Sequence, residues 1–322
     1  MKLQLTTLLA SVTMMATSAF AVMPKVDPSI KTYEQTSGIS GNLNSVGSDT
    51  LNNLMTMWAE KFKSLYPNIN IQIEGKGSAT APPALVAGTA QLGPMSRPMK
   101  NTEIEAFENK YGYKPTAVPV CLDTLAVFVN KENPIKGLSM NQLDGIFSST
   151  RKSGNENVNY WGQLGLTGEW SKKTISLYGR NSASGTYGFF KDEALRKGDY
   201  KPTVKEQAGS SSVVQGVGTD ISAIGYSGIG YKTSDVRALP LSTELSGKFI
   251  EPTYENALNG EYPLTRFLYI YFNKKPGTNT DPLTMEFLKF ILSKEGQEIV
   301  LKDGYFPLPS EAVNDALSRL DK

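Results

Sequence analysis

The octapeptide at residues 179–186 carries the residue types that bind an anion. It reads Gly-Arg-Asn-Ser-Ala-Ser-Gly-Thr, so Arg180 stands four residues before Ser184, and an amphipathic run, 187–197, follows at once. A glycine permits a tight turn, and the free N–H groups at the start of a helix favour negative charge. Arg180 can add a bidentate grip on an oxyanion. The alternative is an ordinary helix cap beside a surface arginine.

Three other turns share this chemistry. They read Gly-Ser-Asp-Thr at 47–50, Gly-Ser-Ala-Thr at 77–80 and Met-Ser-Arg at 95–97. In an open α/β sheet, turns that follow a strand and open a helix lie where ligands bind. Each buried oxyanion oxygen must find a donor or lose about 1–3 kcal/mol. Capping explains any single turn, but together they predict one anion site formed by Ser48, Asp49, Thr50, Ser78, Ser96, Arg97, Arg180, Ser184, Gly185 and Thr186.

The absence of histidine from the sequence excludes several kinds of site. Ser-His-Asp triads, Cys-His dyads and His-ligated zinc sites are impossible. Cys121 is the single cysteine, so no internal disulfide can form, and its apolar surroundings predict a small buried side chain rather than a nucleophile. We therefore expect no enzyme, no cofactor and no bound metal.

The first 21 residues have the pattern of a secretory signal peptide. Met1 and Lys2 precede a short uncharged run rich in Thr and Ser, which ends in Ala-Phe-Ala at 19–21. A transmembrane anchor is the alternative, but this run is too short and polar to hold a bilayer well. Removal of Lys2 leaves 32 basic against 31 acidic residues. That balance argues against a nucleic-acid binder, and we expect an exported protein that is not embedded in a membrane.

Predicted strands and helices alternate along the rest of the chain, which indicates an α/β fold. Apolar residues at helical spacing predict a helix over 51–65, and alternation predicts a strand over 69–74. A short strand is expected at 90–93 and a helix at 103–111. This βαβ rhythm predicts a parallel or mixed sheet flanked by helices.

Two long β-rich runs, 116–130 and 262–274, bracket a block with its own strands and helices. A proline within the first run, Pro119, suits an edge or a crossover. We therefore predict two lobes joined by two crossover strands. Lobe I would comprise 41–121 plus 266–322 and lobe II 122–265, preceded by an extended or loosely attached arm at 22–40. After the second run we expect one helix, 282–293, and the tail 304–309.

At this point the chain resembles a known family closely over essentially its whole mature length. It is similar to the periplasmic phosphate-binding proteins of Pst-type ABC importers, in the gammaproteobacterial version. The resemblance implies a two-lobed "Venus flytrap" of type II that closes on one phosphate ion. The segments that carry the resemblance are 45–51, 77–85, 92–97, 179–190, 223–231, 262–269 and 304–309.

The resemblance also implies roles for individual residues. The turn at Ser48, Asp49 and Thr50 would supply hydroxyl and N–H donors, and Ser78 would donate from the second turn. The family's Arg-x-x-x-Ser-Gly-Thr clamp is matched without change by Arg180, Ser184, Gly185 and Thr186.

One departure from the family's pattern concerns the third turn. Well-known members have Ser-Asp where this chain has Ser96 and Arg97, and that aspartate accepts the proton of phosphate and repels sulfate. A protonated phosphate still needs an acceptor in a dry site. Asp49 is the first candidate and Asp123, at the crossover, is the second. Arg97 would bind the anion or balance the charge of that acceptor.

The sequence thus predicts capture of inorganic phosphate for an inner-membrane ABC permease. A carrier of arsenate, sulfate or molybdate is an alternative, and an exported phosphatase with a Ser or Thr nucleophile is another, although its usual activators are missing. We expect a periplasmic monomer. An extracellular surface or matrix role stays open.

Overall fold

The computed structural model describes residues 24–244 and 247–321. The predicted signal peptide, 1–21, lies outside this part. None of the helices in the described part has the length and apolar character needed to cross a bilayer.

The strands follow the alternation expected from the sequence, with some shifts in their bounds. The predicted strand at 69–74 is confirmed, whereas the one expected at 90–93 begins and ends two residues later. In chain order they are β1 (Gly41–Val46), β2 (Ile69–Glu74), β3 (Leu92–Met95), β4 (Thr116–Asn130), β5 (Leu138–Ser139), β6 (Ser176–Arg180), β7 (Lys205–Gln207), β8 (Ala223–Gly228), β9 (Val236–Ala238), β10 (Leu241–Ser242) and β11 (Thr265–Phe272).

The helices cover the faces of these strands. Short 3₁₀ turns, Asp49–Leu51 and Ser78–Thr80, lead directly into the first two. The helices are α1 (Asn52–Leu65), α2 (Ala81–Ala87), α3 (Asn101–Tyr111), α4 (Met140–Phe147), α5 (Gly185–Glu193), α6 (Ser210–Thr219), α7 (Tyr254–Leu258), α8 (Pro282–Leu292), α9 (Lys294–Lys302) and α10 (Ser310–Asp321).

The main sheet is mixed, as predicted. Its order is β2-β1-β3-β11-β4-β8-β6-β7, and β9 also pairs with β4. Strands β1, β2 and β3 are parallel, as are β6, β7 and β8, whereas β11 and β4 run antiparallel to their neighbours. The predicted two-lobed α/β architecture, a mixed sheet flanked by helices, is confirmed.

Strand β4 passes through both halves of the molecule. It pairs with β11 over its first part, up to Thr124, and with β8 from Leu125 onward. Pro119 lies at a shift in the β4–β11 register, where a residue without an N–H is tolerated. We keep the names lobe I and lobe II for the predicted ranges; that division itself stays a prediction.

Two separate cores fix the ends of the strands that carry the turns. In lobe I, α1 buries Trp58 and Phe62 against α8. In lobe II, Phe190 of α5 stacks on Tyr226 of β8 with ring centroids 4.0 Å apart. The hydroxyl of Tyr226 accepts a hydrogen bond from the backbone N–H of Arg180 at 3.3 Å. This core therefore holds the end of β6 against the start of α5.

Two expectations are refined by the structure. In the described part of the arm, 24–40, Tyr33 packs on Phe290 and its hydroxyl donates to Glu286, which favours the extended alternative over loose attachment. After β11 the predicted helix is present as α8, and the structure adds two helices that were not predicted, α9 and α10. Cys121, by contrast, is fully buried as predicted, and burial raises the pKa of its thiol.

Candidate functional site

The four hydroxyl-bearing turns converge between the lobes. Ser48, Ser78 and Ser184 are 2%, 0% and 3% exposed. Thr50 Oγ1 of lobe I lies 2.8 Å from Thr186 Oγ1 of lobe II. The turns therefore face one another and not the solvent.

The closest approach of the lobes is at the Ser-Gly-Thr turn. A Cβ at Gly185 would lie 2.3 Å from Ser78 Oγ and 2.6 Å from Ser96 Oγ, so only glycine fits in this arrangement. Ser78 Oγ also lies 3.2 Å from Ser96 Oγ. Beside them, the backbone N–H of Ala79 donates to the carbonyl of Ala183 at 3.0 Å across the cleft.

Ser184 caps α5, so the helix cap that was the alternative to an anion-binding turn is present. Its Oγ accepts hydrogen bonds from the N–H groups of Thr186 at 3.1 Å and Tyr187 at 3.4 Å. Because a hydroxyl has one proton and two lone pairs, the Ser184 proton remains available to an anion. Capping and anion binding are compatible here.

Arg180 is the most deeply buried arginine of the site. Its side chain is 1% exposed, and Nη1 donates to Ser210 Oγ at 2.6 Å while Nη2 donates to the carbonyl of Ala208 at 2.8 Å. Among the described residues its Nε has no hydrogen-bond partner. Burial lowers the pKa of the guanidinium, and the carboxylate of Asp49 opposes that shift.

Asp49 joins the lobes through its carboxylate. Oδ2 lies 3.2 Å from Arg180 Nη2 and accepts a hydrogen bond from the backbone N–H of Ser210 at 2.8 Å. Ser210 is the first residue of α6, where the helix dipole favours a carboxylate. The side chain remains 22% exposed.

Sequence reasoning missed Arg266, a second buried cation of this region. Its Nε and Nη2 donate to Asp123 Oδ2 at 2.9 and 2.8 Å, while the other oxygen, Oδ1, accepts from the N–H of Ile229 at 3.0 Å. The strand register places Arg266 directly opposite Asp123. A charged residue within an apolar strand needs a buried partner, and that was the available signal.

Arg97 is placed at the edge of this region and is paired elsewhere. Its Nη1 and Nη2 donate to the two oxygens of Glu103 at 2.8 and 2.7 Å. Burial alone would raise the pKa of Glu103, but the hydrogen bonds from Arg97 and from the N–H of Lys100, together with the positive charges of both residues, lower that pKa. The carboxylate that Arg97 neutralises is therefore Glu103, not Asp49 or Asp123.

Two tyrosines hold the backbone of the first turn. The hydroxyl of Tyr231, from lobe II, donates to the carbonyl of Asp49 at 2.9 Å. The hydroxyl of Tyr305, from lobe I, donates to the carbonyl of Thr50 at 2.9 Å. Burial raises the pKa of both tyrosines.

No metal site accompanies these groups. Within 24–244 and 247–321, no three His, Cys, Asp or Glu side chains are grouped so that they could hold an ion. The polar groups of the region can donate hydrogen bonds, and each of its two carboxylates, Asp49 and Asp123, is paired with an arginine. This set of groups suits an anion.

Several known proteins are similar to this chain in sequence or in fold, and their names agree with an anion site. Residues 32–295 match the PBP superfamily domain. The phosphate-binding protein PstS of Pseudomonas aeruginosa is 58% identical over 321 residues, 99% of each chain. A putative phosphate ABC transporter substrate-binding protein with bound phosphate from Clostridium perfringens has a TM-score of 0.70 at 25% identity, over 83% of this chain and 100% of that one. A possible phosphate-binding protein from Planctomyces limnophilus has a TM-score of 0.64 at 26% identity, over 88% and 99%. The chain therefore belongs to the PBP superfamily and, within it, to the family of PstS-type phosphate-binding proteins.

Proposed function

We propose that this protein binds one inorganic phosphate ion between its lobes and delivers it to an inner-membrane ABC permease. The names of its relatives support this function, since the 58% identical protein is a phosphate-binding protein. The convergence of hydroxyls from Thr50, Ser78, Ser96, Ser184 and Thr186 supports it independently. These relatives are named as binding proteins, and the chain is a carrier rather than an enzyme.

The observation that carries the proposal is the unpartnered Nε of Arg180. A buried donor without a partner costs about 1–3 kcal/mol, more when it is charged. Arg180 is 1% exposed and its Nε finds no acceptor in the described part of the chain. An anion oxygen at this position would satisfy Nε with a charge-assisted hydrogen bond.

Closure of the lobes would couple to binding through contacts that exist only when the lobes meet. Asp49 reaches the N-terminus of α6, and the N–H of Ala79 reaches the carbonyl of Ala183. A ligand shifts such an equilibrium only by binding the closed state better than the open one. Phosphate would do so by bridging the turns of lobe I to Arg180 and α5 of lobe II.

We assign the phosphate proton to Asp49 rather than Asp123. Both oxygens of Asp123 accept hydrogen bonds from Arg266 or Ile229. Asp49 uses Oδ2 for Arg180 and Ser210, and no donor from 24–244 or 247–321 reaches its Oδ1. A free carboxylate oxygen can accept the proton of hydrogen phosphate and repel an anion that has none.

Isothermal titration of the ligand-free protein with phosphate, sulfate, molybdate and arsenate tests the ligand. Tight phosphate binding and weak sulfate and molybdate binding are expected, and arsenate should compete because it has the same protonation pattern. Tight sulfate binding with weak phosphate binding would refute the proposal. Steady turnover of a phosphate ester would instead favour the exported phosphatase.

Arg180→Ala should weaken phosphate binding at least tenfold, about 1.4 kcal/mol or more. The reason is that it removes the buried cation whose unpartnered Nε would donate to the ion. Arg237→Ala is the control, because within the described part of the chain the hydrogen-bond partners of Arg237 are the backbone carbonyls of Asn133 and Ile135. The control should alter the melting temperature alone, and unchanged affinity in Arg180→Ala would remove Arg180 from the site.

Asp49→Asn tests the acceptor. It should weaken phosphate binding and lower the ratio of phosphate affinity to sulfate affinity, because an amide no longer repels a fully ionised anion. Titration with both anions measures the ratio. If the ratio is unchanged while Asp123→Asn reduces it, the assignment of the acceptor is wrong.

The cellular setting forms part of the same proposal. The signal-peptide pattern at 1–21 favours export to the periplasm. We propose a monomer there, which sedimentation would check. A further surface or matrix role outside the cell would require the protein to be found on intact cells.

A further inference from the structure

Arg266 contacts lobe I, the crossover and lobe II through one guanidinium. Nη1 donates to the carbonyl of Ser96 at 2.8 Å, and Nη2 donates to Thr186 Oγ1 at 3.0 Å as well as to Asp123. The guanidinium carbon lies 5.2 Å from the ring centre of Phe189. These contacts, with 6% exposure of Arg266, fix the plane of the group.

The contact with Thr186 begins a hydrogen-bond chain that continues to Thr50. An arginine donates and never accepts, so the lone pair of Thr186 Oγ1 faces Arg266 and the Thr186 proton faces away. Thr50 Oγ1, 2.8 Å from Thr186 Oγ1, is the next member of the chain. One hydroxyl proton of the two threonines is then left over for a further acceptor.

We propose that Arg266 is a positioning residue for the anion. It acts through Thr186, whose hydroxyl it orients so that the Thr50–Thr186 pair donates into the cleft. This inference rests on the proposed function. Asp123 keeps the guanidinium in place and cancels its charge, so the contribution of Arg266 lies in the orientation of the hydroxyl and not in a direct ion pair with phosphate.

A double-mutant cycle between Arg266 and Thr186 separates this role from a structural one. Lysine at 266 keeps the charge near Asp123 but lacks the planar fork that spans three acceptors. Arg266→Lys should weaken phosphate binding roughly tenfold in the parent protein. In the Thr186→Val background, where no hydroxyl remains to orient, the same change should weaken binding less than about twofold.

The measurements are titrations with inorganic phosphate and melting curves without it. Thr186→Ser retains the hydroxyl and should restore the sensitivity to Arg266→Lys. Arg237→Lys is the matched control, because Arg237 donates to the backbone carbonyls of Asn133 and Ile135 and to none of the turns, and it should leave affinity unchanged in both backgrounds. Equal losses from Arg266→Lys in both backgrounds would overturn the proposal, because a general electrostatic or structural effect is additive.

A double variant without the two buried charges covers the case in which Arg266→Lys does not fold. If Arg266→Lys shows no cooperative melting, Arg266→Gln combined with Asp123→Asn removes both buried charges together, and the same cycle is measured. If Arg180→Ala and Thr186→Val leave phosphate affinity unchanged, the proposed function fails. If they weaken it and the cycle is additive, only the role of Arg266 fails.

Discussion

Tyr231→Phe should weaken phosphate binding, whereas the same change at Tyr305 should not. Both hydroxyls donate at 2.9 Å to neighbouring carbonyls of one turn, those of Asp49 and Thr50. The difference is their origin. In the predicted division Tyr231 falls in lobe II and reaches across to the turn, while Tyr305 falls in the same lobe as the turn.

The expected magnitude follows from the net value of one hydrogen bond, about 0.5–1.5 kcal/mol. We expect opening of the cleft to break the Tyr231 bond, so its loss in Tyr231→Phe should reduce the free energy of closure and appear in the dissociation constant. That corresponds to a loss of affinity of about 2- to 13-fold. We expect the Tyr305 bond to persist in the open state, so its loss should cancel in binding and appear as reduced stability of the fold.

The assay is titration with phosphate at constant pH and ionic strength, together with thermal melting of the ligand-free protein. Tyr231→Phe should raise the dissociation constant with little change in the melting temperature of the free protein. Tyr305→Phe should show the opposite pattern. Because each variant keeps its aromatic ring, packing changes little in either.

Two outcomes would refute the reasoning. If both variants lose affinity equally, the contact of Tyr231 does not distinguish the closed state from the open one. If Tyr231→Phe binds phosphate as tightly as the parent, the hydrogen bond to Asp49 adds nothing to closure.

Two further predictions concern the cleft and the stability of the fold. Gly185→Ala should weaken phosphate binding more than about tenfold, because its Cβ would meet Ser78 and Ser96 where the turns face one another. We expect this contact to be lost when the cleft opens, so the melting temperature of the free protein should not fall; parent-like affinity in a titration would contradict the prediction. Burial raises the pKa of Asp303 from 3.8 to about 6 in the folded protein, so its contribution to stability is full below about pH 4 and is lost as pH rises through about 6. Asp303→Asn should avoid that loss. The melting temperature of the variant minus that of the parent should therefore increase from pH 4 to 7; a constant difference would show that Asp303 does not titrate in this range.

The anion turns could be predicted because their chemistry is local. A glycine, a hydroxyl and a following helix lie within a few residues, as at 47–50 and 179–186. Their convergence followed from the rule that such turns share one edge of a sheet. The two-lobed α/β fold likewise followed from strands and helices whose periodicity is visible in short windows.

What escaped prediction depends on distant partners. Arg266 meets Asp123, 143 residues away, through the register of two strands, and Asp49 meets Ser210, 161 residues away. No short window contains either pair. The partner of Arg97 is different, because Glu103 is only six residues ahead and lies within a short window. Sequence reasoning overlooked that pair.

The missed helix α9 has a different cause. Its sequence, Lys-Glu-Gly-Gln-Glu-Ile-Val-Leu-Lys, has a glycine and few apolar residues in its first half. Gln297 is nevertheless fully buried, and its amide nitrogen donates to the carbonyls of Val120 and Ile291. A polar side chain that is buried by satisfied hydrogen bonds gives no hydrophobic periodicity.

Because β4 belongs to the sheets of both halves, any swing of one half about the other must turn near the point where its pairing changes, at Thr124. Atoms near such an axis move little, so we expect the neighbouring Arg266–Asp123 ion pair to stay intact as the two halves open and close. Atoms of the two halves that lie far from the axis move apart. Arg180 would then part from Asp49 and, freed of its counter-ion, present the charge that draws the next anion in from solution.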